Sequence, residues 1–115
     1  MSRNDWHMIE GETLTLCRRL PPRFDVVAET AFPTVSRRRL ARQVRQDVWR
    51  ALQSVRGFSP VVEVSATDSG LRLRAGGRID GGPVARAALE ARLASLLAQP
   101  ERRARWARYA GKVAR

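Results

Sequence analysis

Five residues between positions 38 and 56 carry the clearest chemistry in this chain. On a wheel of 3.6 residues per turn, Arg38, Arg42, Arg45, Trp49 and Arg56 fall within one narrow arc. Guanidinium groups present planar forks that match phosphate oxygens, and an indole offers a flat face on which a base can stack. A second set lies near the C-terminus, where Arg105, Arg108 and Lys112 share one helical face and Trp106, Tyr109, Ala110 and Val113 share another. The chemistry of both sets is the gripping of a polyanion, with Trp49 or Trp106 supplying the stacking surface. Each set also has a plain reading, a solvated arginine face whose aromatics pack at the edge of the core.

Catalytic chemistry is poorly provided for. The chain has one His, His7, and one Cys, Cys17, so three or four metal ligands of those types cannot be assembled. Cys17 precedes Arg18 and Arg19, which would favour its thiolate, but a lone cysteine in an apolar strand reads first as a packed side chain. The stretch Gly76-Gly77-Arg78-Ile79-Asp80-Gly81-Gly82 precedes a helix as phosphate-binding loops do. It lacks the Gly-x-Gly-x-x-Gly order and the Lys-Ser/Thr pair, and Pro83 removes a backbone donor. The expectation is a binding protein with no catalytic residues, no metal and no cofactor.

The charge distribution points the same way. The net charge is +11, and 21 of the 22 cationic residues are Arg. A GC-rich genome accounts for Arg over Lys but not for the twofold excess of bases over acids. Residues 1–35 are net −1, residues 36–56 net +6, residues 57–100 net +1 and residues 101–115 net +5. Two short segments therefore hold the excess, which is the electrostatic footprint of a polyanion binder. The expected partner is nucleic acid, DNA or RNA, held mainly through phosphates. The alternative is an acidic protein surface in a larger assembly, with Trp6, Phe24 and Phe32 as apolar anchors. No apolar run is long enough to span a bilayer, and residues 1–7 lack the apolar core of a secretory signal. With a single cysteine, these features lead to the expectation of a cytoplasmic protein.

The elements that must position these residues form an α+β domain. Residues 1–11 read as a flexible leader, 12–111 as a single domain and 112–115 as a frayed basic tail. Alternating Thr and Leu predict a strand at 12–17. A hairpin is expected at 61–66 and 71–76, turning at Thr67-Asp68-Ser69-Gly70 and pairing Glu63 with Arg74. Residues 23–32 fit a helix or a strand. Leu40, Val44, Val48, Leu52 and Val55 mark a helix over about 37–56, with Thr34 or Ser36 as N-cap and Gly57 as its stop. A leucine-rich helix is expected from Pro83 to about Ala98, and a basic helix at about 101–111. The two longer helices should cover one face of a small antiparallel sheet, with the last helix docked at an edge. The bare face would suit a homodimer.

Overall fold

The computed structural model describes residues 6–111. It is an α+β fold in two layers, a five-stranded antiparallel sheet with three helices on one face. In chain order the elements are β1 (His7–Ile9), β2 (Thr13–Cys17), β3 (Val26–Phe32), α1 (Arg37–Leu52), β4 (Phe58–Thr67), β5 (Gly70–Ile79), α2 (Arg86–Ala98) and α3 (Pro100–Gly111). Across the sheet the strand order is β1-β2-β4-β5-β3.

The hairpin β4–β5 forms the centre. Its register closes on Thr67 opposite Gly70 and sets Glu63 opposite Arg74, whose Nη1 donates to Glu63 at 2.9 Å. It is longer than alternation alone predicts because β5 runs on through Gly76 and Gly77 to Ile79. Those glycines are not a flexible connection. A Cβ at Gly76 would sit 1.9 Å from the Val26 carbonyl oxygen, and one at Gly77 would sit 2.3 Å from that of Ser59, so they permit close passage of neighbouring backbone.

Two strands lie outside the expected three. The segment read as helix or strand is β3, which pairs with β5 over its whole length. Pro22 and Pro33 leave it too short for a stable helix, and Val26, Val27 and Thr30 suit a pleated surface. The outer edge of β3 is sealed by side chains. The Val27 N–H donates to Glu90 at 2.9 Å, and Arg103 donates to the Ala31 carbonyl at 2.7 Å. The second addition is β1, which turns part of the expected leader into an edge strand, with His7 opposite Cys17 and Ile9 opposite Thr15. Residues 1–5, and the tail 112–115 with Lys112, lie outside the described residues.

The core lies between the sheet and its helices. Leu14, Leu16, Val62, Val64, Leu71, Leu73 and Ala75 meet the α1 stripe of Leu40, Val44, Val48 and Leu52. Ser36 caps α1, its Oγ accepting from the Arg39 N–H at 3.3 Å. The helix ends at Leu52 rather than 56. Gly57, at φ +77°, then turns the chain so tightly that a Cβ would lie 2.4 Å from the Gly81 nitrogen. Helix α1 packs over β2 and β4, while α2 packs over β3 and β5. The α2 helix starts at Arg86, after Pro83, and buries Leu89, Leu93, Leu96 and Leu97. Helix α3 packs on α1 and α2 and reaches the β3 edge of the sheet through Arg103 and Trp106. Among the described residues no helix is long and apolar enough to cross a membrane.

Candidate polyanion-binding surface

Most arginines of this chain are occupied. On the bare sheet face, Arg72 and Arg74 pair with Glu29, and Arg74 also bridges to Glu63. At one end of the sheet, Arg23 and Arg78 hold Asp80, with Arg19 at 3.9 Å. Arg37, Arg92 and Arg103 donate to backbone carbonyls. Arg38 leaves the predicted arc by donating to Glu10 at 2.7 Å.

The densest pairing joins α1 to α3. Asp47 is only 3% exposed. One carboxylate oxygen accepts from Trp106 Nε1 at 2.8 Å and from Arg105, and the other lies 3.6 Å from Arg50 and 3.5 Å from Arg102. Arg105 is therefore committed to a structural ion pair. Trp106 is fully buried against Phe32, with ring centroids 6.4 Å apart, so it has no open ring face on which a base could stack. A tryptophan on a helix flanked by arginines resembles a binding residue in sequence. Here its N–H satisfies a buried carboxylate and its ring fills the core.

Six arginines have neither an ion pair nor a side-chain hydrogen bond among the described residues: Arg18, Arg39, Arg42, Arg45, Arg56 and Arg108. Five of them converge. A cleft of about 630 Å³ lies where β2 ends and α1 passes over the start of β4; it is lined by Arg18, Arg45, Trp6, Trp49, Phe58 and Asp80 among others. Arg45 also lines the neighbouring depression of about 280 Å³, with Arg39, Arg42 and Tyr109. Tyr109 in turn lines a third, with Gln43, Arg105 and Arg108. The three share walls and make one track across the outer side of α1, from the end of β2 to α3. Arg56 is exposed beyond the last turn of α1, next to Gly57 at the cleft wall.

Arg45 is the centre of the track. Its guanidinium lies 4.5 Å from the centroid of the Trp6 ring, and Arg18 approaches the same ring at 5.7 Å. Its Nε is buried with no hydrogen-bond partner. Burial above all, then the like charges of Arg18 and Arg42, holds its pKa below the usual arginine value. A guanidinium stays protonated under such pressure, so the charge persists in a place that disfavours it.

Aromatic rings flank these cations. Trp49 is 39% exposed and stacks on Phe58, with centroids 6.4 Å apart and planes 8° from parallel. Tyr109 is 51% exposed. Of the predicted residues, Arg42, Arg45, Trp49 and Arg108 share the track, and Arg105 lines its third depression while held by Asp47. Arg18, Arg39 and Tyr109 join it without having been singled out for binding, and Trp6, expected as an apolar anchor for a protein partner, lines its cleft. The clue to Arg39 and Arg18 was available only in part: both are basic, but their pairing states depend on which acids the fold brings near.

The reactive groups stand apart from this surface. Cys17 is buried in β2, and burial pushes its thiol pKa up. Among the described residues no group of three His, Cys, Asp or Glu side chains is placed to hold a metal ion. Comparison with known protein families, curated proteins and solved structures gives no match. The surface is therefore interpreted from its own chemistry.

Proposed function

We propose that this protein binds nucleic acid along the arginine track, mainly through phosphate contacts from Arg18, Arg39, Arg42, Arg45 and Arg108. One observation carries the proposal: among the described residues, five of the six arginines with neither an acid nor a carbonyl partner are gathered on one surface. Unpaired cations at scattered positions are ordinary solvation, whereas a connected row spaced along a helix suits the repeating charge of a phosphate backbone. Phosphate contacts position a nucleic acid without reading its sequence, so weak sequence preference goes with this reading. The role is one of binding rather than catalysis, and the expected setting is the cytoplasm.

The acidic-protein alternative depends on apolar anchors, and the candidates for that role are occupied. Phe32 is buried in the core, Phe24 lies under Arg74 with the guanidinium 5.0 Å from its ring, and Trp6 lies against Arg45. The large apolar side chains exposed among the described residues, Ile9, Leu20, Trp49, Val84 and Tyr109, come from different elements and loops.

The test is fluorescence anisotropy of labelled DNA and RNA, single- and double-stranded, across a salt series. The expected result is sub-micromolar binding at about 150 mM salt, with a slope equivalent to roughly four phosphate contacts. Arg42→Glu should weaken it strongly, and heparin should compete less well than nucleic acid. Loss of all binding at that salt, or equal weak binding to every polyanion, would overturn the proposal and leave an acidic protein as the partner to seek.

A further inference from the structure

We infer that the cleft at the Trp6 end of the track is a seat for one unpaired nucleotide, base and phosphate together, so that the protein grips single strands in preference to duplexes. The inference rests on the nucleic-acid reading above and goes beyond it by naming the form of the ligand. A row of cations on a convex helix would be enough for a duplex, whose bases are already paired and stacked and whose phosphates face outward. This end of the track is different because it is recessed and aromatic.

The cleft, at about 630 Å³, falls within the roughly 300–1,000 Å³ of sites that enclose small ligands. Trp49 forms part of its wall, with one face stacked on Phe58, so the indole is braced in a fixed plane while 39% of the residue stays open. A braced aromatic loses little freedom when a base stacks on it. Among the described residues Arg18 and Arg45 line the same cleft without acid partners, and the buried Arg45 Nε–H has no acceptor. A phosphate between them would supply that acceptor and relieve the repulsion between two neighbouring cations. The carboxylate in the cleft, Asp80, is already held by Arg23 and Arg78, so it does not cancel the charge of Arg45. The site thus offers a stacking plane and an anion seat within the span of one residue pair on α1, Arg45 and Trp49, which are one turn apart.

Base and phosphate could come from a strand or from a free nucleotide, and the experiment separates these sources. Intrinsic tryptophan emission of the full chain is titrated with a short oligothymidylate, with thymidine monophosphate and with a blunt duplex of equal length. Trp106 is fully buried, so quenching reports on Trp6 and Trp49. The oligothymidylate should quench the emission and bind about tenfold tighter than the duplex, and Trp49→Ala should remove that advantage, bringing the two affinities together. Trp49→Phe, which keeps a ring and the packing on Phe58, should preserve most of the advantage. Equal affinity for both forms with unchanged emission would overturn the seat and leave the nucleic-acid proposal standing. Thymidine monophosphate binding as tightly as the oligomer would overturn the preference for strands and assign the cleft to a free nucleotide. Absence of binding to all three would overturn both readings together.

Discussion

Two sides of one helix use the same residue type in opposite ways. Asp47 gathers Arg50, Arg102, Arg105 and the Trp106 N–H into a buried clasp between α1 and α3. Arg45, two residues earlier, faces Trp6, Arg18 and Arg42 with no acid partner among the described residues. A step of two residues turns about 200° around a helix, so the pair look in nearly opposite directions. The lesson is that arginine content does not locate a binding surface. The local supply of acids sorts arginines into those that hold the fold together and those that remain available.

The largest effect should come from breaking the clasp. Asp47→Ala leaves the Trp106 N–H buried without an acceptor and should cost about 3 kcal/mol of unfolding free energy in a urea titration, because a buried partner is lost. The salt slope for nucleic acid should not change for the folded fraction, and a change would mean that the two sides of α1 are coupled. The second test reverses the pattern. Arg45→Gln should lower the salt slope by about one phosphate contact. It should leave stability equal or higher, since the charge it removes is buried beside like charges. A loss of stability comparable to that of Asp47→Ala would erase the distinction. The third sharpens it. Arg105 belongs to the clasp but is 46% exposed, so Arg105→Ala should cost only about 1 kcal/mol and leave binding nearly unchanged.

The smallest expected effect is on acid stability. Glu90 is held below its ordinary value of 4.5, first by the Val27 N–H and then by Arg86, and Asp25 below 3.8 by Arg23 and the Ile79 N–H. A depressed folded pKa means that the unfolded chain takes up protons first. These groups therefore stabilise the fold above the ordinary carboxylate range, and that contribution fades as pH falls through it. The denaturation midpoint should drop modestly below about pH 4.5, and Glu90→Gln should flatten part of the drop. Arg45→Gln should leave this acid limb unchanged, since Arg45 is not among the groups that depress either carboxylate.

The sequence makes the α+β class, α1 with its Ser36 cap, the hairpin and the Glu63–Arg74 pair legible because each depends on local periodicity or turn chemistry. The strands β1 and β3 were harder to read for different reasons. His7–Ile9 is too short for a pattern to emerge, and 23–32 holds both periodicities until β5 offers it a partner edge. Gly76 and Gly77 suggest a loose connection in sequence, whereas in the fold they fit a crowded strand. The candidate surface was half legible. Arg42, Arg45, Trp49 and Arg108 follow from a helical wheel. The withdrawal of Arg38 by Glu10, the capture of Arg105 by Asp47 and the arrival of Arg18 from β2 each depend on contacts between residues 25 or more positions apart.

The sealed rim of β3 bears on how the molecule behaves in company. A strand's unpaired edge is a template that another chain can copy, and sheets commonly join into larger aggregates by that route. In β3 the template is already written over at the Val27 N–H by Glu90 and at the Ala31 carbonyl by Arg103. A second chain would have to evict both side chains before it could extend the sheet there. Among the described strands that leaves the rim of β1, three residues long, as the open side. Concentrating the protein along a polyanion therefore need not turn crowding into fibre growth.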